Sequence, residues 1–235
     1  MRVVSLVPSV TETLLAWGIT PVACTDYCEQ PLLHHIGGTK NPRVEDIVAL
    51  APDVVVVCDE ENRREDADAL VAAGTHIHNC SPRTIDDVTP ALRALADAVA
   101  ATPDDGQWGS PLLEVAPLGL RAFVPIWRRP WMTIGTDTYG ASLLAVIGVE
   151  VIDVPAADSD APSVRYPTVD LDAVIAAGPD VVLAPSEPYA FKPEHLVELS
   201  VVAPVLEIDG QDLFWWGVRT PAAVQRLHDA IGRAR

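Results

Sequence analysis

Four thiols could carry chemistry in this chain, and three of them fall at the ends of apolar runs: Cys24, Cys58 and Cys80. Cys28 follows Cys24 by one short loop. Thiolates converging on one rim could hold a soft metal ion. Their spacing matches no zinc motif, and small buried packing groups are the competing reading for Cys24, Cys58 and Cys80. Cys28 differs, because Asp26, Tyr27 and Glu29 around it read as a polar loop facing a ligand. The histidines carry less. His34-His35 sits in a loop segment, and His76 and His78 share one strand face. Neither makes a metal motif, so a metal-ligand set stays unknown.

No nucleophile elbow, phosphate-binding loop or dinucleotide fingerprint occurs. Gly37-Gly38-Thr39-Lys40 reads as a tight turn into the next helix. The aromatic residues say more. Trp127 and Trp131 flank Arg128-Arg129, Phe214 precedes Trp215-Trp216, and Tyr27 and Tyr189 lie in loops. Rings beside glycines, prolines and charges suit the walls of a site for a large flat ligand, a macrocycle or an organic chelate. Glu60 precedes a helix whose first turn is acidic, and Glu187 holds the matching place in the second half.

These residues need a scaffold, and apolar runs alternate with helical patterns to supply one. Val3–Leu6, Pro21–Cys24, Val54–Cys58 and His76–Asn79 read as strands. Helices fit Val10–Trp17, Val44–Leu50 and Arg63–Ala73, so the fold class is parallel α/β. The second half repeats the first. VEDIVALAPDVVVV from Val44 matches LDAVIAAGPDVVLA from Leu171, 127 residues later. TETLLAWG, ending at Gly18, pairs with GASLLAVIG, ending at Gly148, at a similar offset. Two Rossmann-like lobes with mostly parallel sheets follow, with a ligand cleft expected between them. The N-terminal lobe spans 1–82, a connecting helix (Thr84–Ala101) and a broken linker occupy 83–118, and the C-terminal lobe spans 119–235. Sites in such sheets form beyond the carboxyl ends of the strands.

Composition bounds the partners. In 235 residues, 16 basic side chains face 33 acidic ones, a net charge of −17. An isoelectric point near 4.5 excludes a nucleic-acid binder, which needs a basic surface. The opening residues show no signal peptide or lipid-bearing cysteine, which reads as cytoplasmic, or as periplasmic or cell-surface if a leader was removed.

With these motifs in place, the chain resembles the class III periplasmic solute-binding proteins of ATP-driven importers, the helical-backbone metal receptors. RVVSLVPSVTETLLAWG, GGTKNPRVEDIVALAPDVVVV and EENRREDADALVAAG resemble the cobalamin-binding branch. MTIGTDTYGASLLAVIG, DVVLAPSEPYAFKPEHLVEL and DGQDLFWWGVRT extend the likeness into the second half. The resemblance implies a non-catalytic protein that binds cobalamin, haem, a ferric siderophore or another metal chelate. The ligand-facing set it implies is Pro8, Ser9, Tyr27, Cys28, Glu60, Asn62, Trp127, Glu187, Tyr189, Phe214 and Trp216. It also implies docking to an importer permease through Glu65 and either Glu194 or Glu198. Cys58 stands where that branch often has a tryptophan, which leaves a chelate other than cobalamin open. A cytosolic enzyme using Cys28 and Glu60, or a ligand carrier or sensor, is the alternative.

Overall fold

The computed structural model describes residues 1–104, 115–157 and 165–233. They form two compact units. The first contains Met1–Pro82, the segment that starts at Asp86, and Trp216–Arg219. The second contains Arg83–Ile85, residues 115–157 and 165–215, and the C-terminal helix from Thr220.

The first unit is built on β1 (Val3–Ser5), β2 (Ala23–Cys24), β5 (Val54–Val57) and β6 (Ile77–Asn79). These make one parallel sheet in the order β2-β1-β5-β6. Every residue of β5 is a buried valine. Branched side chains suit a pleated strand covered on both faces. Around the sheet lie α1 (Pro8–Ala16), α2 (Val44–Ala49) and α3 (Arg64–Ala72). Val4, Leu6, Ile36, Ile47, Val55 and Leu70 form the core beneath them. A small hairpin of β3 (Gly37–Gly38) and β4 (Asn41–Pro42) precedes α2. Helix α1 starts two residues earlier than the apolar pattern predicts, because Pro8 fits a first helical turn that needs no N–H from it. Gly18 and Gly74 end α1 and α3 at φ +75° and +83°. Their N–H groups turn back to Leu15 and Val71, and those of Ile19 and Thr75 to Leu14 and Leu70, closing both helices alike.

The second unit repeats this plan. β7 (Leu120–Phe123), β10 (Val149–Val151), β11 (Val181–Pro185) and β12 (Val205–Ile208) form a parallel sheet ordered β10-β7-β11-β12. In each unit the first strand lies between the second and third, and the fourth lies outside the third. Strands β5 and β11 begin at Val54 and Val181, 127 residues apart, as the sequence repeat predicts. Helices α5 (Tyr139–Val146), α6 (Leu171–Ala177) and α7 (Pro193–Leu199) stand where α1, α2 and α3 stand in the first unit. Its core is built on Phe123, Ile152, Val169, Val174, Val182 and Leu199.

Three elements were not anticipated. An antiparallel hairpin, β8 (Pro125–Trp127) with β9 (Met132–Thr133), interrupts the second unit before α5. A short helix, α8 (Gly210–Phe214), follows β12 and is capped by the Asp209 carboxylate. The segment Trp216–Arg219 then joins the first unit before α9 (Thr220–Arg233) closes the second. The Arg219 guanidinium holds Glu12 of α1 bidentately at 2.7 and 2.8 Å, which fixes that crossing.

The helix expected at Thr84–Ala101 is a 3-10 turn at Ile85–Asp87 followed by α4 (Val88–Ala98). It buries Val88, Leu92, Leu95 and Ala96 and goes with the first unit. Most of the expected broken linker, residues 105–114, lies outside the described residues. Among the described residues no helix is long and apolar enough to cross a membrane.

Candidate functional site

The carboxyl-terminal rim of the first sheet is polar and largely closed. After β1 the chain enters α1 through Pro8 and Ser9, both buried, and the Ser9 hydroxyl has no hydrogen-bond partner among the described residues. After β2 a turn brings the Cys28 N–H back to the Thr25 carbonyl at 3.2 Å. That turn carries Tyr27 outward, 63 % exposed, and Cys28 inward, 3 % exposed. The Tyr27 ring lies against Gly38 of β3, where a β-carbon would come within 3.2 Å of it. After β5, Asn62 is buried and its amide is spent on the fold. It accepts from the Cys58 N–H and donates to the Leu6 and Thr39 carbonyls. Glu60 stays half-exposed beside it, its carbonyl holding Lys40. A depression of about 380 Å³ opens here, lined by Cys58, Asp59, Asn62, Arg63, Arg64 and their neighbours.

The thiols fall into two pairs. Cys58 and Cys80 end neighbouring strands, and burial pushes them up to about 11 and about 12. They are neutral near pH 7, so a soft metal bound there would have to displace their protons. The neighbouring Cys24 lowers the Cys28 thiol below the ordinary value against its burial. The Thr11 and Thr25 hydroxyls, each 3.2 Å from Cys28 Sγ, act in the same direction. Cys28, together with burial, pushes Cys24 up. Among the described residues no group of three or more His, Cys, Asp or Glu side chains is poised for a metal ion.

The rim of the second sheet is aromatic and more open. Trp127, at the end of β8, is 45 % exposed and meets Tyr189 edge-on at 5.1 Å. Tyr189 contacts Phe191 at 4.9 Å and His195 at 5.7 Å, and Phe191 stacks on Trp131 at 6.1 Å. Arg128 lies over the Trp131 ring and donates to Glu198 at 2.8 Å. Glu187 accepts from the Trp215 indole N–H at 2.6 Å. Gly210 is pressed so closely on Glu187 that a β-carbon would sit 2.6 Å from its backbone N. Phe214 lies half-buried against Gly140. A larger hollow of about 660 Å³ runs along β10 and α5, and none of the clustered rings lines it.

The structure therefore groups Trp127, Tyr189, Glu187 and Phe214 on the second unit, and Tyr27 and Glu60 on the first. Pro8, Ser9, Cys28, Asn62 and Trp216 are buried, and Trp216 goes with the first unit rather than with Phe214 and Trp215. Phe191 escaped the sequence reading, although its place two residues after Tyr189 was the available signal.

No family model matches the chain. It is 29 % identical over 196 residues to the vitamin B12-binding protein of Salmonella typhimurium, covering 77 % of this chain and 71 % of that one. Its fold is similar to that of the periplasmic vitamin B12 binding protein BtuF of Vibrio cholerae, with a TM-score of 0.70 and 19 % identity over 99 % of this chain and 97 % of that one. The periplasmic heme-binding protein RhuT of Roseiflexus sp. RS-1 superposes with a TM-score of 0.73 and 20 % identity, over 99 % and 98 % of the two chains. The chain is thus similar in sequence, across most of its length, to vitamin B12-binding proteins, and in fold, across nearly all of it, to periplasmic vitamin B12- and heme-binding proteins.

Proposed function

We propose that the protein binds a bulky metal chelate of the corrinoid, haem or ferric siderophore class, without turning it over, and delivers it to an importer permease. The observation that carries this is the ring cluster of Trp127, Tyr189, Phe191 and Trp131 at the end of the second sheet. Rings anchored edge-to-face and stacked give a large apolar contact area at little entropic cost, which suits a flat macrocycle. The curated relatives are vitamin B12-binding proteins, and solved neighbours are named for vitamin B12 and heme, which supports the same ligand class. In this reading the candidate ligand contacts are Trp127, Tyr189, Glu187 and Phe214 on the second unit, and Tyr27 and Glu60 on the first. Both of these solved neighbours are periplasmic proteins, which favours that side of the two locations left open by the sequence.

For the permease, Glu65 and Glu194 fit best. Each is the second residue of its helix, and α3 and α7 hold equivalent places in the two units. Both are exposed, whereas Glu198 is held by Arg128.

Isothermal titration with cyanocobalamin, haemin and a ferric hydroxamate tests the binding role. Saturable binding of one of them is the expected result, and heat from none of the three would overturn it.

A further inference from the structure

We propose that Arg226 is a positioning residue of the second rim: through Asp212 it sets the place and rotation of α8, and with them the Phe214 ring and the Trp215–Glu187 bond. The proposal rests on the binding role given above only in its last step, from the set of α8 to affinity.

Helix α8 has five residues, and a helix of one turn does not hold itself, because it fixes many dihedral angles for few hydrogen bonds. Its set is therefore decided by what grips it. At its start the Asp209 carboxylate accepts from the Gln211 and Asp212 N–H groups at 2.8 and 3.3 Å, and the Ser186 hydroxyl accepts from the Gly210 N–H at 2.9 Å. These contacts fix one end only, so the axis could still swing about it. Further along, Asp212 turns inward, and Arg226 of α9 donates to both of its carboxylate oxygens, at 2.6 and 2.5 Å. Two parallel bonds fix direction as well as distance. The Asp212 side chain is 4 % exposed, while the Arg226 side chain that reaches it stays half-exposed.

The anchor behind this grip is firm, since α9 has 14 residues and buries Ala223, Val224, Leu227 and Ile231. Helix geometry carries the grip to the rim. Asp212 and Phe214 are two residues apart, about 200° around the axis at about 100° per residue. Holding Asp212 on one side thus turns Phe214 to the other, where it lies against Gly140 of α5. One residue later the chain leaves the helix extended, at φ −87° and ψ 112°, and the Trp215 indole N–H reaches Glu187 at 2.6 Å. Phe214 and Glu187 are both candidate ligand contacts, so a swing of α8 displaces two of them at once. Arg226 acts on them through Asp212.

The set of α8 and the affinity are read separately. Indole N–H signals are recorded by nuclear magnetic resonance on the intact, nitrogen-labelled protein, with the Trp215 signal assigned from Trp215→Phe. Arg226→Lys keeps the charge and loses the fork. Asp212→Leu combined with Arg226→Met removes both charges, so no carboxylate is left buried and unpaired, and such apolar replacements commonly keep the stability of the pair. The expected result in both is a displaced Trp215 signal beside an unmoved Trp127 signal, with a urea midpoint near the native one in the double variant. Cyanocobalamin, haemin and the ferric hydroxamate are then titrated. Affinity for the probe that the unsubstituted protein binds should fall about tenfold, the scale of one displaced aromatic anchor. A Trp215 signal at its native position in the folded double variant would overturn the proposal, because the pair would then supply stability alone. Native affinity despite a displaced signal would overturn it as well. Arg226→Lys is read in the same way should the double variant not fold. Heat from none of the probes with the unsubstituted protein would sink the binding role instead, and the Trp215 signal would still decide whether Arg226 sets α8.

Discussion

The two rims stand on separate sheets of the same strand order, yet offer different chemistry. The first is lined by thiols, hydroxyls and an amide turned inward, and the second by rings that reach solvent. All four cysteines lie in the first unit. A shared order of strands fixes where a rim will be, and the loops beyond the strands decide what it presents. The difference begins in the path of the chain. In the first unit β1 runs straight into α1, so Pro8 and Ser9 are covered at once. In the second, β8 and β9 intervene before α5 and carry Trp127 and Trp131 to the rim.

The sharpest test asks where the two units still agree. Glu65 and Glu194 occupy matching helix positions, so reversing both charges should abolish permease-coupled uptake while leaving ligand titration unchanged. Either Glu65→Lys or Glu194→Lys alone should reduce uptake in part. Uptake untouched by the double variant would separate the repeat of the fold from any repeat of its docking role.

The next effect is on stability and belongs to the first rim alone. Asn62→Ala leaves the Cys58 N–H and the Leu6 and Thr39 carbonyls without their partner. Stranding buried polar groups costs about 1–3 kcal/mol each at the high end, so a loss of about 3 kcal/mol is expected in urea unfolding. A change below about 1 kcal/mol would mean that water replaces the amide easily, and that this rim is less closed than its burial indicates.

The second rim should respond in the opposite way, through affinity and not through stability. Trp127 is half-exposed, so Trp127→Ala should barely move the unfolding midpoint. Chelate binding should weaken about tenfold, the loss of roughly 1.4 kcal/mol expected for one aromatic anchor. Tyr27→Ala, on the first rim, should weaken it less, since that ring lies against Gly38 and is mostly exposed rather than clustered with other rings. Equal losses at Tyr27 and Trp127 would erase the contrast between the rims.

Much of this contrast was legible in the sequence, and the exceptions have physical causes. Strand-helix units announce themselves by apolar periodicity, so the repeat at 127 residues led directly to matching sheets. Short elements give no such signal: β9 has two residues and α8 five. Cys28 was expected in a polar loop, and its neighbours are exposed, but a single turn points its sulfur inward. Adjacent residues can also part company entirely. Trp215 bonds to Glu187 in the second unit, while Trp216 is buried in the first. Composition counts both as rings near a site, and only the crossing at Trp216–Arg219 distinguishes them.

The smallest expected effect tests the inert thiol pair. Cys58 starts from an ordinary value of 9.0 in the unfolded chain and is pushed to about 11 in the fold, chiefly by burial. Between those two values the unfolded chain has released the proton and the folded one has kept it. Stability from this group is therefore fully present below about pH 9 and falls as pH rises toward 11, because ionisation draws the chain toward the unfolded state. Cys80, raised to about 12 by burial and then by Cys58 itself, extends the same decline upward. By pH 10 the loss from Cys58 is about 1.4 kcal/mol, one unit above the unfolded value at roughly 1.4 kcal/mol per unit. Comparing urea midpoints at pH 8 and pH 10 for the native protein and for Cys58→Ala isolates it, since lysines and tyrosines titrate alike in both. The variant should lose less stability over that interval, even if its small cavity lowers the starting value. Identical slopes would show that water reaches Cys58 and that the thiols at the ends of β5 and β6 are not sealed. The first rim would then resemble the second in being open to solvent, and the division between a closed polar rim and an open aromatic one would fail at its best-buried point.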